Sequence, residues 1–131
     1  MKTKKAEKLS SSMEDYLETI AILQKTAGVV RVKDISLSLK VKKPSVTNAL
    51  NVLSEKGFIV HEKYGYVDLT DEGRKIAEAV LKRHDTLIKF LTKILKINSG
   101  IAAKDACRME HAMSPETFGK LTRFIEKKTK K

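Results

Sequence analysis

Between Val32 and Leu69 the chain changes its hydrophobic period in a fixed order, and few folds accept that order. VKDISLSL, residues 32–39, reads as a short helix. Lys40 to Lys43 reads as a tight polar turn, and Pro44 suits the first turn of a second helix, where the missing N–H would have no partner anyway. From Pro44 to Lys56, Val46, Ala49, Leu50 and Leu53 fall at i, i+3, i+4 and i+7, which is one helical face. Gly57 closes that helix. Two β-type runs follow, Phe58 to Glu62 and Tyr66 to Leu69, joined by a turn holding Lys63, Tyr64 and Gly65. A helix, a short turn, a helix and a hairpin in this order make a winged helix-turn-helix.

Such a unit lays one helix in a major groove about 12 Å wide, with a second helix packed across it to fix the angle. Here the 44–56 helix keeps its apolar face inward. Lys43, Pro44, Ser45, Thr47 and Asn48 stand at its outer N-terminal end. Asn48 is long enough to pair with an adenine edge, and Ser45 and Thr47 can reach bases or phosphates. Arg31, Lys33, Lys40, Lys42 and Lys43 would line phosphates, and Lys63 and Tyr64 form the wing tip. A formal net charge of +11 over 131 residues implies a polyanionic partner, nucleic acid or an acidic membrane surface, and together with the winged helix it favours double-stranded DNA.

The remaining chain is helical. Ser10, Ser11 and Ser12 offer N-caps, with Ser12-x-x-Asp15 resembling a capping box. Met13, Tyr16, Leu17, Ile20, Ala21 and Leu23 then form a stripe that Gly28 ends. Thr70 or Asp71 caps a long helix over 72–96, with Ile76, Val80, Leu87, Leu91 and Ile94 on one side. Asn98-Ser99-Gly100 breaks it, a short helix covers 101–112, and Ser114-Pro115-Glu116 opens the last one. The fold class expected is mainly α with a small β-hairpin. No apolar run approaches the roughly 20 residues of a membrane helix. The N-terminus is basic without the apolar core of a secretory signal, and a single cysteine forms no internal disulfide, which suits the cytoplasm.

A second constellation is left over. In CRMEH, Cys107, Glu110 and His111 lie at i, i+3 and i+4 and share a helix face. Asp15 and Glu18 sit one turn apart on the first helix, on the side away from its apolar stripe, with Ile22 between them and expected to be covered. His84 continues the inward series of the long helix. Three carboxylates, two imidazoles and one thiol are not the donor set of a closed structural zinc site. An oxygen-rich mixture suits Fe²⁺ or Mn²⁺. Taken singly, a core histidine, an apolar cysteine and surface acids are the commoner accounts of these residues.

The stretches SMEDYLETI (12–20), KPSVT (43–47), LTDEG (69–73), KRH (82–84) and DACRMEHAMS (105–114) together resemble the DtxR/MntR family of metal-dependent transcriptional repressors. The resemblance covers nearly the whole chain, and the last motif is the most specific. It implies a homodimer with a winged-helix DNA-binding domain, residues 1–71, and a helical metal-binding and dimerisation domain, residues 72–131. It implies divalent-metal activation and binding to palindromic operators near metal-uptake genes. The family's metal positions fall on Asp15, Glu18, His84, Cys107, Glu110 and His111. Iron-sensing members typically carry Met at the first and Cys at the fourth of these positions, manganese-sensing members Asp and Glu. This chain combines Asp15 with Cys107, and its thiolate leans the choice to Fe²⁺ over Mn²⁺, with other divalent transition metals as substitutes. Ile88 and Ala103 stand where the iron-sensing branch has ancillary ligands, and no SH3-like third domain is expected.

Not an enzyme is the corresponding expectation, with neither a small-molecule substrate nor a membrane partner. A di-iron helical enzyme would need repeated Glu-x-x-His pairs, which are missing. The alternatives kept are a metal-independent winged-helix regulator that responds to another ligand, and a DNA-coating protein in which only charge matters.

Overall fold

In the computed structural model, residues 9–62 and 65–129 are described. The chain divides between Glu78 and Ala79 into two compact units.

The first unit opens with α1, Ser11–Ala27, capped by Ser10, whose hydroxyl accepts from the Met13 N–H at 3.1 Å. The cap is therefore Ser10, not the capping box expected at Ser12. Ser10 is the residue that holds extended backbone (φ −67°, ψ 160°), so Ser11 and Ser12 are already helical. Gly28, at φ 85°, ends α1 and returns its N–H to the Gln24 carbonyl. Then come β1 (Val30–Arg31), α2 (Val32–Leu39), α3 (Lys43–Glu55), β2 (Ile59–His61) and β3 (Tyr66–Leu69).

The expected hairpin supplies two strands of a three-stranded antiparallel sheet, ordered β1-β3-β2. Val30 pairs with Val67 and Arg31 with Tyr66 on one side of β3; Ile59, Val60 and His61 pair with Leu69, Asp68 and Val67 on the other. A two-residue strand is too short to show a period of two, so β1 is invisible to pattern reading. Leu17 and Ile20 of α1, Ile35 of α2, and Val46, Leu50 and Leu53 of α3 are fully buried together with Val30. Each contributes about 1.5–3 kcal/mol by leaving water. This shared core sets the angle between α2 and α3.

Thr70 links the sheet to α4, Asp71–Lys89. Its hydroxyl accepts from the Gly73 N–H at 3.1 Å and donates to the Gly57 carbonyl at 2.7 Å. A Cβ on Gly73 would lie 1.9 Å from the Phe58 carbonyl oxygen, so only glycine allows this approach.

In the second unit the helix expected over 72–96 changes character after Lys89. Phe90–Ile94 is π-helical, with the Leu95 N–H reaching the Phe90 carbonyl. Thr92 donates its hydroxyl to the Ile88 carbonyl at 2.8 Å, a side-chain bond that competes with the backbone ladder where the helix widens. Lys96 closes the segment at φ 60°. Asn98 does not merely break the chain: its side chain accepts from the Ile101 N–H and caps α5, Ser99–Ala112. α6, Pro115–Thr129, starts under the Ser114 hydroxyl, which accepts from the Thr117 N–H. Leu87, Leu91, Ala102 and Ala106 form the core here, flanked by Phe90, Ile97, Met109 and Leu121. Among the described residues no helix is long and apolar enough to cross a membrane.

Candidate nucleic-acid face and metal centre

On α3 the burial alternation separates the residues expected to face DNA from the core residues. Val46, Ala49, Leu50 and Leu53 are buried, while Lys42, Lys43, Pro44, Ser45, Thr47 and Asn48 are exposed. Lys42 occupies the cap position in extended backbone, and Pro44 sits in the first turn. The N-terminal end of α3 therefore carries two lysines on top of the partial positive charge of the helix end itself, an arrangement that attracts phosphate. Lys33 on α2 is exposed, as is Lys40, which takes the left-handed conformation (φ 59°) at the end of that helix. Lys63 and Tyr64, expected at the wing tip, lie outside the described residues.

Arg31 is exposed but not loose. Its Nη2 donates to the Tyr66 hydroxyl at 2.8 Å and its guanidinium carbon lies 4.8 Å from the centre of the Tyr66 ring. Its backbone N–H donates to Asp34 Oδ2 at 2.9 Å. Tyr66 was not singled out in the sequence, because the β1–β3 register that brings it opposite Arg31 could not be read there.

In the second unit α5 turns Glu110 inward, where it is 1 % exposed. His84 of α4 places Nδ1 3.0 Å from Glu110 Oε1, and His111 places Nε2 3.3 Å from Glu110 Oε2. One buried carboxylate thus faces two imidazoles, one to each oxygen. A buried carboxylate is costly without such partners, and two ring nitrogens beside one carboxylate are a good start to a divalent-cation site. Cys107 is exposed, one turn before Glu110 on the same helix. Arg83 donates from Nε to the Glu110 carbonyl at 3.2 Å, a contact the sequence did not suggest. That carbonyl is among the last four of α5, which lack helical partners.

Asp15 and Glu18 belong to the first unit. Both are half-buried on α1, one turn apart. Ile22, expected to be covered, remains 42 % exposed. On the apolar side of the same helix Tyr16 is buried, and desolvation raises its pKa above the ordinary tyrosine value.

Two family descriptions match the chain. Residues 8–67 match the N-terminal DNA-binding domain of iron dependent repressors, and residues 70–131 match their metal binding and dimerisation domain. This chain belongs to the iron-dependent repressor family, the DtxR/MntR group. Its members are transcription regulators, not enzymes. An uncharacterized HTH-type transcriptional regulator of Methanocaldococcus jannaschii is 32% identical over 120 residues, 91% of this chain and 96% of that protein. The crystal structure of T. acidophilum IdeR is similar at TM-score 0.76 and 28% identity, over 89% of this chain and 54% of that one. A manganese-dependent transcriptional repressor in complex with manganese is similar at TM-score 0.80 and 28% identity, over 86% of this chain and 52% of that one. The chain spans about half the length of these two structural relatives.

Proposed function

We propose that this repressor is activated by Fe²⁺ or Mn²⁺ and, as a homodimer in the cytoplasm, binds palindromic operator DNA to control metal homeostasis. In this reading residues 1–71 bind DNA, and residues 72–131 bind metal and dimerise. The observation that carries the reading is the buried Glu110 carboxylate with His84 and His111 against its two oxygens, inside the region whose family description is metal binding. The donor chemistry fits the ion: Asp15, Glu18, His84, Cys107, Glu110 and His111 offer three carboxylates, two imidazoles and a thiol.

When bound, a divalent cation supplies the positive charge that lets these acids and the thiolate share one point instead of repelling. The residues do the rest. Glu110 is held in place by its burial, and His84 and His111 present ring nitrogens beside it. Asp15 and Glu18 are the contribution of α1, the helix on which α2 and the sheet pack. Their engagement would favour the arrangement of α3 helices that a dimer needs, about 34 Å apart on successive turns of DNA. On α3, Asn48, Ser45 and Thr47 would read bases while Lys42, Lys43, Lys33 and Arg31 hold phosphates.

Control by an organic ligand has one feature in its favour, a groove of the second unit lined by Lys82, Asp85, Thr86, Lys89, Thr122, Ile125 and Glu126. Its volume is about 220 Å³. Organic-ligand pockets are about 300–1,000 Å³, so metal control is the better-supported reading. The deciding experiment is operator binding titrated with Mn²⁺, anoxic Fe²⁺, Co²⁺ and Zn²⁺, with metal counted per chain. DNA affinity that ignores every metal, and ignores chelation, sinks the proposal.

A further inference from the structure

Arg31 sits where three elements meet. It is the last residue of β1, it precedes α2, and it lies opposite Tyr66 in the β1–β3 pair. Its guanidinium is engaged twice by one side chain, through the 2.8 Å bond from Nη2 to the Tyr66 hydroxyl and through the ring face 4.8 Å away. Asp34, the nearby acid, directs Oδ2 to the Arg31 backbone N–H. Among the described residues no carboxylate forms an ion pair with the guanidinium. An exposed guanidinium fixed by an aromatic neighbour and not neutralised by an acid is suited to an external anion.

The hydrogen-bond count gives the anion's place. A guanidinium carries five N–H donors, and Tyr66 takes one. The phenolic oxygen accepts that bond, so its own hydrogen remains to donate elsewhere. Both groups of the pair therefore have donors left. A phosphate oxygen there would receive charge-assisted bonds from Arg31 and a neutral one from Tyr66. Stacking also restricts an otherwise flexible side chain before the anion arrives, which lowers the ordering cost of binding.

We propose that Arg31 and Tyr66 together form a clamp for a phosphate of the DNA backbone, Tyr66 both holding the guanidinium and donating its hydroxyl hydrogen. The clamp rests on the DNA-binding reading above and adds a residue to it. It lies at the loop end of the β2–β3 hairpin and at the start of α2, on elements other than α3. It thus contributes affinity and register, without sequence preference.

The test is a double-mutant cycle on the full chain, with a random-sequence DNA duplex in Mn²⁺ over a salt series. Variants are Arg31→Met, Tyr66→Phe and the pair, with a melting curve for each. Arg31→Met should reduce the slope of log K against log salt by about 1. Tyr66→Phe keeps the ring and its packing, and should weaken binding about threefold to tenfold in the wild-type background. In the Arg31→Met background the same change should cost clearly less, because the groups act as a unit. A sheet-bracing role for Tyr66 predicts lowered melting with DNA affinity equally affected in both backgrounds, and that additive result overturns the clamp while leaving DNA binding intact. If the wild-type chain binds no duplex at all, the DNA-binding reading falls and takes the clamp with it.

Discussion

His84 Nδ1 lies 3.0 Å from Glu110 Oε1, joining α4 to α5 through a carboxylate that is almost wholly out of water. His111 Nε2, on the same helix as the carboxylate, lies 3.3 Å from the other oxygen. Glu110→Gln keeps the volume and the hydrogen-bonding ability but removes the charge. It should lower divalent-metal affinity by more than about 100-fold, since even an outer-shell partner is worth 10–100-fold. In the metal-free protein the cost should be only about 1–2 kcal/mol, one altered buried hydrogen-bonded group. Calorimetric Mn²⁺ titration beside urea unfolding in chelator separates the two effects, and unchanged metal affinity would remove Glu110 from the ligand set.

Asp15→Ala addresses the coupling from the other end. Asp15 lies on α1 and not on α3, the helix proposed to read DNA, so its loss should leave DNA binding without metal at the wild-type level. The rise in DNA affinity on adding metal should shrink by about 1–3 kcal/mol, the usual range of coupling between two sites. DNA binding that stays equally metal-responsive means that α1 does not carry the signal.

Arg83 reaches across from α4 to the Glu110 carbonyl, one of the last four of α5. Its charge also lies at the negative end of that helix. Arg83→Ala should destabilise the protein by about 1–2 kcal/mol, in the lower part of the range for a charged hydrogen bond because the side chain is half-exposed. Arg83→Lys should recover part of this. Amide exchange should speed up around residues 107–112 more than in α6, and a uniform increase along the chain would argue against a local cap.

Two glycines in helices should answer an added methyl with opposite signs. At Gly73 the new Cβ meets the Phe58 carbonyl oxygen at 1.9 Å, so backbone must move, at about 1–3 kcal/mol for overpacking. At Gly119, inside α6, nothing lies within 4 Å. Gly119→Ala should stabilise by about 0.5–1 kcal/mol through helix propensity. Urea midpoints for the two variants check both statements, and a shift of the same sign in each would contradict the packing described here.

What the sequence revealed follows the range of the forces involved. VKDISLSL and the Val46–Leu53 series could be placed because helix period and burial repeat over several turns, and Pro44 and Gly57 bracket the second of them. The ends at Gly28 and Ser114 could be placed because capping is local. β1 could not, since two residues carry no period and its pairing with β3 depends on chain far away. Tyr66 was missed for the same reason. The π-helical stretch at Phe90–Ile94 was missed because its apolar spacing hardly differs from an α-helix; only Thr92, bonding back to Ile88, hints at it. For the candidate metal centre, the i, i+3, i+4 spacing in CRMEH gave a shared helix face, whereas the meeting of His84 with Glu110 needs two helices packed and was supplied only by resemblance. Arg83 has no sequence signature, since its partner is a backbone carbonyl.

In the proposed function, base reading and phosphate binding on α3 fall on different side chains, so they should separate experimentally. Lys42 and Lys43 stand at the helix start, and Asn48 lies further along the exposed face. Lys43→Ala should weaken binding to every duplex by a similar factor and reduce the log K against log salt slope by about 1. Asn48→Ala should leave that slope unchanged. It should cost about 1–3 kcal/mol on the preferred sequence and little on random DNA, since it removes base-edge contacts only. A binding-site selection in Mn²⁺ supplies the preferred duplex, and salt titrations of both variants on preferred and random DNA supply the comparison. If Asn48→Ala weakens both duplexes alike, α3 does not read bases through this residue, and the sequence preference must come from elsewhere in the reading unit.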